Sequence, residues 1–563
     1  MASSHHEHRN IILAAFSCLA LSVVLGLLSD GVHHDDDLTH FLMARWSAWY
    51  PGYLLHVWGR PGITLPLAAV SWMEDPNIAW HAARMLSAIV TAATAVIAAR
   101  VALVLGVRRA WLIVLACFAQ PLAMVLSFTT LSETFAAFYL TAAVALVRRR
   151  PIAASMVGSL MLLSRHEAMA LVPLWWIVLL FGTGPRRGRL IGMIGILWAP
   201  IVHNLLHRWT YGTWPLSLFL EPSGSREYPA EGWLSYLPHA LYAISPAIAG
   251  LAVVGGLTLC RRRRFLVPAL AGGYLLIHVS IKALGFYGSG GYGRFMVSVA
   301  PMIAILAVVG LERLLLKPSS AERNGGRGVW LMHALVWGVA WLAYEVELSV
   351  GRLNPLDPVW IRAVPAIVIL ALVAAAIFHR RGIGLTIGRG ALCLLALTWL
   401  GQWLVIVRPL RLGPKQALVK ETVVWMKAQG YGDAPFFSAN PWFACFLDLV
   451  ENPRARKDSV LLASMPVGTV FVWDSIYAEN QFHGLASSAD YEADAHYVLL
   501  RMFTQRDETD FKLLVFKKVR ETPLPIHPKP SYPRSLTSDA EPVRGIYYRR
   551  VGRTGVRNLH ESR

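Results

Sequence analysis

The chain has 563 residues, 55% of them hydrophobic and only 15% charged, with a mean hydropathy of +0.47. That excludes a soluble globule and indicates a polytopic membrane protein. A formal charge of +19 would suit nucleic acid, but the basic residues sit in short clusters between apolar runs, where they set topology, so no nucleic-acid partner is expected.

Residues 1–10 are polar, Arg9 precedes the first apolar run at 11–28, and no small-residue cleavage site follows. This reads as an uncleaved signal anchor with its N-terminus inside. Directly after it comes His33-His34-Asp35-Asp36-Asp37-Leu38-Thr39-His40. Adjacent carboxylates repel, so they need water, a cation or a positively charged substrate group to hold them together. A solvated acidic loop is the commonest source of such a cluster. Here, however, it stands at a membrane surface and is followed by Phe41, Arg45, Trp46, Trp49, Tyr50, Trp58 and Arg60. Charge beside aromatic anchors suits a site that handles the polar head of a lipid. The loop, residues 29–77, is broken at Pro51, Gly52, Pro61, Gly62 and Pro66, so 38–49 and 63–72 are expected as short helices along the interface. Trp46, Trp49, Trp58 and Trp72 are expected as interface anchors.

Basic clusters then punctuate the apolar runs. Arg108 and Arg109 follow 81–106, Arg148 to Arg150 follow 110–127 and 134–147, and Arg186, Arg187 and Arg189 follow 152–163 and 168–181. Arg261 to Arg264 come after 191–206 and 240–259, Lys317, Arg323 and Arg327 after 265–284 and 295–311, and His379 to Arg381 after 329–347 and 359–378. A last run covers 392–407. Counted from an inside N-terminus, every cluster falls inside. The expected architecture is a polytopic α-helical membrane protein of about thirteen spans with an external C-terminal segment. The runs at 134–147 and 152–163 are short of the ~20 residues a full crossing needs, which leaves the count open by two.

Two further external loops carry polar groups. Residues 209–237 hold Trp214, Pro215, Glu221, Arg226, Glu227 and Trp233, and 285–294 read GFYGSGGYGR. Backbone N–H groups of a glycine run can cradle phosphate oxygens, although glycine-rich loops without phosphate are commoner. Beyond 407 the pattern changes. Residues 417–430 read as an amphipathic helix, 434–438, 470–473, 496–503 and 511–519 as strands, and 442–451 as a helix between strands. A membrane module over 1–408 is thus followed by a small extracytoplasmic mixed α/β domain over 409–520. The tail, 521–563, is basic and proline-rich and is expected to be disordered.

The order of several short motifs carries a resemblance. Asp36-Asp37 in the first external loop is followed by Gly59-Arg60-Pro61 and then by Ala83-Arg84-Met85-Leu86-Ser87-Ala88. Ser132-Glu133 opens the fourth span, Leu163-Ser164-Arg165-His166-Glu167 closes the fifth, Pro200, Asn204, Tyr211-Gly212 and Pro215 surround the seventh, and Arg294-Phe295 precedes Pro301. This succession, over residues 1–310, resembles the GT-C membrane glycosyltransferases, in the branch that holds the protein O-mannosyltransferases and the bacterial lipid A aminoarabinose transferases. The preceding His33-His34 is also similar to the His-x-Asp-Glu loop of lipid-linked mannosyltransferases.

The resemblance implies an inverting transferase that takes a sugar from a polyprenyl-phosphate donor on the external face. It passes the sugar to a hydroxyl of a glycan, lipid or protein acceptor, with membrane lipid around it. By motif position Asp36 matches the catalytic aspartate and Asp37 its acidic neighbour, while the triple Asp leaves Asp35 open as an alternative. Arg60, Arg294, Arg165 and Lys282 are the candidates for the donor phosphate, and His34, His40, His166 and Glu167 for substrate contacts. A carboxylate can serve as base without a metal, yet Asp36 and Asp37 also offer oxygen ligands to a divalent cation. Local pairing at a span end competes for Arg165, His166 and Glu167, snorkelling for Lys282, and helix–helix hydrogen bonding for His203 and Asn204. The rival classes are a transporter or lipid flippase, which would show internal repeats and ionisable groups near span centres, and an assembly scaffold, which needs no acid cluster.

Overall fold

The computed structural model describes residues 2–182, 184–215, 230, 232–285, 291–315, parts of 330–346, 359–378, 383–452, 459–478, 485–505, 511–522, 548–552 and 555–557. Its internal contacts divide the chain into two units. One comprises Met1–Leu28, Ala83–Val202 and Glu221–Pro409, and the other Ser29–Ala82, His203–Leu220 and Leu410–Arg563.

The first unit is built of apolar helices. Among the described residues six helices are long and apolar enough to cross a membrane: His6–Leu27, Pro76–Val104, Arg186–Tyr211, Leu266–Leu284, Gly293–Arg313 and Thr386–Ile406. Two of these, Pro76–Val104 and Arg186–Tyr211, run across the boundary between the units. A seventh crossing results if Leu237–Ile244 and Pro246–Arg261, which meet at a bend of 99°, are one broken span. The bend falls at Ser245, whose φ of 77° lies in the left-handed region, followed by Pro246 with no N–H to continue the helix. Ser132–Leu146, Pro151–Ser164 and His166–Phe181 are shorter apolar helices. The expected run at 110–127 is split into Trp111–Phe118 and Pro121–Leu126, because Pro121 starts a new helix. Part of the run at 329–347 lies outside the described residues.

Small residues let two helices of this unit come together. A Cβ built on Gly255 would stand 1.8 Å from the Leu306 carbonyl oxygen, and one on Gly310 would stand 2.2 Å from that of Leu251. Only glycine therefore allows Pro246–Arg261 to pack this closely on Ala300–Leu315, the close approach by which membrane helices replace a hydrophobic drive with van der Waals contact. That packing fixes the segment Gly293–Val299, which enters the second helix and carries Arg294.

The second unit holds the first loop and the C-terminal domain together. The domain centres on a four-stranded sheet of β1 (Phe436–Ser438), β3 (Val470–Asp474), β4 (Tyr497–Thr504) and β5 (Lys512–Lys518) in the order β1-β3-β5-β4. β1 runs parallel to β3, and the other pairs are antiparallel. These strands match the four expected segments. The expected helix at 442–451 is instead a short helix, Pro441–Phe446, followed by β2, Leu449–Glu451. Asp448, at φ 48°, turns the chain between them. β2 pairs with β6 (Tyr548–Gly552), which hairpins to β7 (Gly555–Arg557). Within the tail expected to be disordered, these two strands are thus present, and they extend the edge that β2 offers.

The first-loop helices form, but in a different setting. Asp35–Trp46 begins three residues earlier than expected, and nine of its residues, Asp37 and Leu38 together with His40 to Trp46, are buried. A helix covered on nearly every face is a packed element and not an interfacial one. Trp46 is accordingly buried and donates its indole N–H to the Leu449 carbonyl at 2.9 Å, whereas Trp58 and Trp72 remain more than half exposed, as interface anchors require.

Candidate functional site

The sequence-nominated residues fall into two groups, one in each unit. His34, Asp35, Asp36, Asp37, His40 and Arg60 belong to the second unit, and Arg165, His166, Glu167, Lys282 and Arg294 to the first.

In the second unit the three carboxylates open the helix Asp35–Trp46, where the N-terminal backbone dipoles favour negative charge. His34 is the N-cap: its Nδ1 accepts from the Asp36 backbone N–H at 3.2 Å. The same nitrogen is 3.4 Å from Asp36 Oδ2. A ring nitrogen that accepts a hydrogen bond cannot also donate one, so His34 caps the helix and does not neutralise Asp36 through Nδ1.

Successive helical residues point about 100° apart, so the three acids have three different surroundings. The Asp35 carboxylate is held by the C-terminal domain. Its Oδ1 accepts from the Trp442 indole at 3.0 Å and the Gln416 amide at 3.4 Å, and its Oδ2 accepts from the Tyr477 hydroxyl. Burial first, and then the Asp35 carboxylate, push the Tyr477 phenol well above its ordinary range, so it stays a donor. Asp36 keeps 17% of its side chain exposed, and Asp37 is fully buried. His40 is buried one turn further along the same helix. Of the three acids, Asp35 is thus the one bonded by Trp442, Gln416 and Tyr477, Asp37 the one fully buried, and Asp36 keeps solvent access. Arg60 precedes the helix Pro61–Ser71 at a φ of 56°, a left-handed conformation uncommon for a side-chain-bearing residue and typical of strained functional positions. Among the described residues no group of three or more His, Cys, Asp and Glu is arranged to hold a metal ion.

In the first unit, motifs separated by up to 160 residues converge. Arg165 donates from Nη1 to Glu133 at 2.9 Å and from Nε to Glu167 at 2.5 Å, and its Nη2 pairs with Glu167 as well. Its guanidinium also lies over the Phe295 ring at 4.0 Å. Arg294 Nε approaches the same Glu133 oxygen at 3.5 Å and faces the rings of Tyr292 and Phe295. His278 stacks on Tyr236, meets Tyr274 edge-on, and stands 3.8 Å from Glu167. Glu133, Arg165, Arg294, His278, Tyr236 and Tyr274 are all buried. Lys282 lies one turn beyond His278 and is buried too, its stem laid along Gly291: a Cβ there would stand 2.6 Å from Lys282 Cδ and 3.3 Å from Nζ. His166 begins the short 3-10 helix that carries Glu167 and is half-buried. The remainder of the glycine run, 286–290, lies outside the described residues, as do Glu221, Arg226 and Glu227.

Several participants had no role in the sequence reading. Gln416, Trp442 and Tyr477 approach the acid cluster from 381, 407 and 442 residues away, and no motif marks them. Glu133 stood in a motif, and its buried position between two arginines supplies its purpose. Arg84, another motif residue, is buried and donates to the Gly26 carbonyl at 3.5 Å. His203 bonds the Leu55 carbonyl at 2.8 Å, in keeping with a structural role.

No family model matches the sequence, and no curated protein matches it significantly. Two solved structures are similar to it: ArnT from Cupriavidus metallidurans in the apo state, with a TM-score of 0.53, and the same protein bound to undecaprenyl phosphate, with a TM-score of 0.52. Each match is 15% identical and covers 90% of this chain and 97% of that chain. The likeness is one of fold, the GT-C fold that ArnT represents, and it extends over nearly the full length of both chains.

The buried ion network generates a prediction of its own. Glu133→Gln leaves Arg165 and Arg294 without their shared counter-charge in a low-dielectric interior, where breaking such a pair costs about 3–5 kcal/mol. The thermal midpoint of the detergent-solubilised protein should fall accordingly. An unchanged midpoint would show that the network contributes nothing to the fold.

Proposed function

We propose that this protein is an integral membrane glycosyltransferase that moves a sugar from a polyprenyl-phosphate donor to an acceptor hydroxyl on the extracytoplasmic face, with inversion. The observation that carries the reading is the assembly of dispersed motif residues, Glu133, Arg165, Glu167 and Arg294, into one buried cluster within a chain of ArnT fold. That one of the similar structures has undecaprenyl phosphate bound supports a lipid-phosphate donor.

Asp36 is the general base. It takes the proton of the acceptor hydroxyl as the oxygen attacks the anomeric carbon from the side opposite the lipid phosphate. The bond from that carbon to the phosphate oxygen breaks, and polyprenyl phosphate leaves with an added negative charge that fixed cations must offset. Arg294, Arg60 and Lys282 serve that purpose. Arg165 already directs three nitrogens at Glu133 and Glu167, which suits it to positioning the cluster and leaves it little capacity for a phosphate. Asp37, buried beside the base, orients it, and His34, His40, His166 and Glu167 bound the substrate groups. The acceptor is a glycan, lipid or protein. In this reading the 1–408 module crosses the membrane about thirteen times, and the first loop and the 409–520 domain lie outside, a topology supported by the basic clusters that all fall inside when counted from an inside N-terminus.

Mass spectrometry of lipids from cells lacking the protein should reveal an accumulated polyprenyl-phosphate sugar, and purified protein should consume that lipid. A transporter would move it unchanged, so intact donor after incubation with acceptor extract overturns the reading. Topology is checked by cysteine labelling with an impermeant reagent: a residue introduced at Ser487 should react in intact cells and one at Arg187 only after lysis.

Single-turnover transfer separates the acids. Asp36→Asn should reduce transfer by roughly 10²–10⁴-fold, the range general-base catalysis supplies, with donor binding retained. Asp37→Asn should lose less. Wild-type transfer by the Asp36 variant removes it as base. Arg294→Ala should weaken donor use, with partial recovery in Arg294→Lys, which keeps the charge but not the bidentate fork. Unaltered donor kinetics in both would take Arg294 out of the phosphate site.

A further inference from the structure

We propose that the C-terminal domain is a working part of the transfer machinery: Gln416, Trp442 and Tyr477 form a latch on Asp35 that holds the adjacent Asp36 in register. The inference rests on the transferase reading and assigns Asp35 and the three donors as positioning residues.

The first turn of a helix is its weakest, because its N–H groups lack intrahelical partners and the end frays. Here that turn carries the base. Asp35 anchors it with hydrogen bonds to both carboxylate oxygens, from the indole, the amide and the phenol. Each donor is itself held in place. The Asn440 side chain caps the Trp442 backbone N–H at 3.0 Å, and the Asp474 carboxylate accepts from the backbone N–H groups of Ile476 at 3.0 Å and Tyr477 at 2.6 Å. Gln416 packs against Gly413, where an added Cβ would stand 2.4 Å from its Oε1. Asp474 is fully buried at the end of β3, an internal strand of the sheet, so the phenol is tied to the sheet's buried interior.

The far end of the same helix is tied as well. Trp46 donates to the Leu449 carbonyl at 2.9 Å, and Arg45 reaches Asp448 at 3.4 Å while its other donors hold the carbonyls of Met73 at 2.6 Å and Glu74 at 3.0 Å. A helix bolted at both ends cannot tilt or slide, and a base must be held to a fraction of an ångström to act. Three donors converge on the residue next to the base. Charge-assisted hydrogen bonds are about twice as strong as neutral ones, so carboxylate at position 35 is the suitable anchor.

The test uses the full-length protein in detergent, with the donor lipid purified from cells that lack it. Tyr477→Phe and Asp35→Ala should lower the single-turnover rate by about 10–100-fold, the loss expected from a small misplacement of the base. Undecaprenyl phosphate binding should stay at the wild-type level, the thermal midpoint should remain well above the assay temperature so that the protein assayed is folded, and hydrogen exchange at residues 35–38 should quicken. Asp35→Asn should recover part of the rate lost in Asp35→Ala. The Asn oxygen still accepts from Trp442 and Gln416, and the Tyr477 hydroxyl can turn to accept from the amide. An Asp35→Asn variant as inactive as the alanine variant, with the acid limb of the pH profile abolished, would make Asp35 the base and overturn the latch. Wild-type rates in both Tyr477→Phe and Asp35→Ala would overturn it too, as would losses of rate that only track losses of folded protein. If the wild-type protein itself fails to consume the donor, the transferase reading falls and this inference with it. An active wild type with indifferent latch variants sinks the inference alone.

Discussion

A guanidinium buried among apolar helices must find counter-charge, and Arg165 finds it twice, on Glu133 and Glu167. Much of the first unit follows from that requirement. Glu133 opens one helix, Arg165 ends another, and Glu167 sits on the short 3-10 turn that joins it to the next. Arg294 enters on a fourth segment and shares Glu133. Removing charge from such a network is costly because hydration is not at hand to replace it. The four segments are therefore locked in one arrangement, and the aromatic rings of Tyr236, Tyr274 and Phe295 fill the space around them. Gly255 and Gly310 do the complementary steric work, since a single methyl group at either would push their two helices apart.

In the second unit a different economy operates. The helix Asp35–Trp46 is surrounded by chain distant in sequence, and its polar groups are satisfied by that chain: Arg45 by three backbone carbonyls and Asp448, Trp46 by Leu449, Asp35 by three side-chain donors. Side chains that reach across a fold to satisfy a buried helix specify its position more narrowly than apolar contact does, since a hydrogen bond is lost within an ångström while a hydrophobic contact tolerates sliding. The acidic stretch is thus the part of the first loop most firmly placed. The C-terminal domain, which from its sequence promised only a small mixed fold, is what places it.

The membrane class, the long apolar helices, the acid cluster and its helical continuation, and the four central strands were all legible locally. They depend on hydropathy, on N-cap and first-turn preferences, and on period-two patterning, which neighbouring residues carry among themselves. The helix itself is expected from the sequence, but with its start set three residues late, although a capping His34 and three acids in the first turn suit the N-terminal dipole. The break at Ser245-Pro246 is not among the expectations: the run 240–259 reads as one span, although proline cannot continue a hydrogen-bonded turn. The strands at 449–451 and 548–552 were not legible in the same way. Each is short, and each exists as a strand because the other pairs with it across about a hundred residues.

Sequence alone placed three identical carboxylates side by side and had no means to tell them apart. On a helix they diverge by about 100° each, and only the tertiary structure decided that Asp35 meets Tyr477, Trp442 and Gln416, that Asp36 keeps contact with solvent, and that Asp37 is buried. The same division holds for the arginines. Their positions at the ends of apolar runs were readable, but whether a guanidinium is already committed to carboxylates depends on helices that meet from far along the chain. Local chemistry determines which groups are present and which element carries them. The direction each group faces is set by packing, because burial and counter-charge are properties of the assembled neighbourhood.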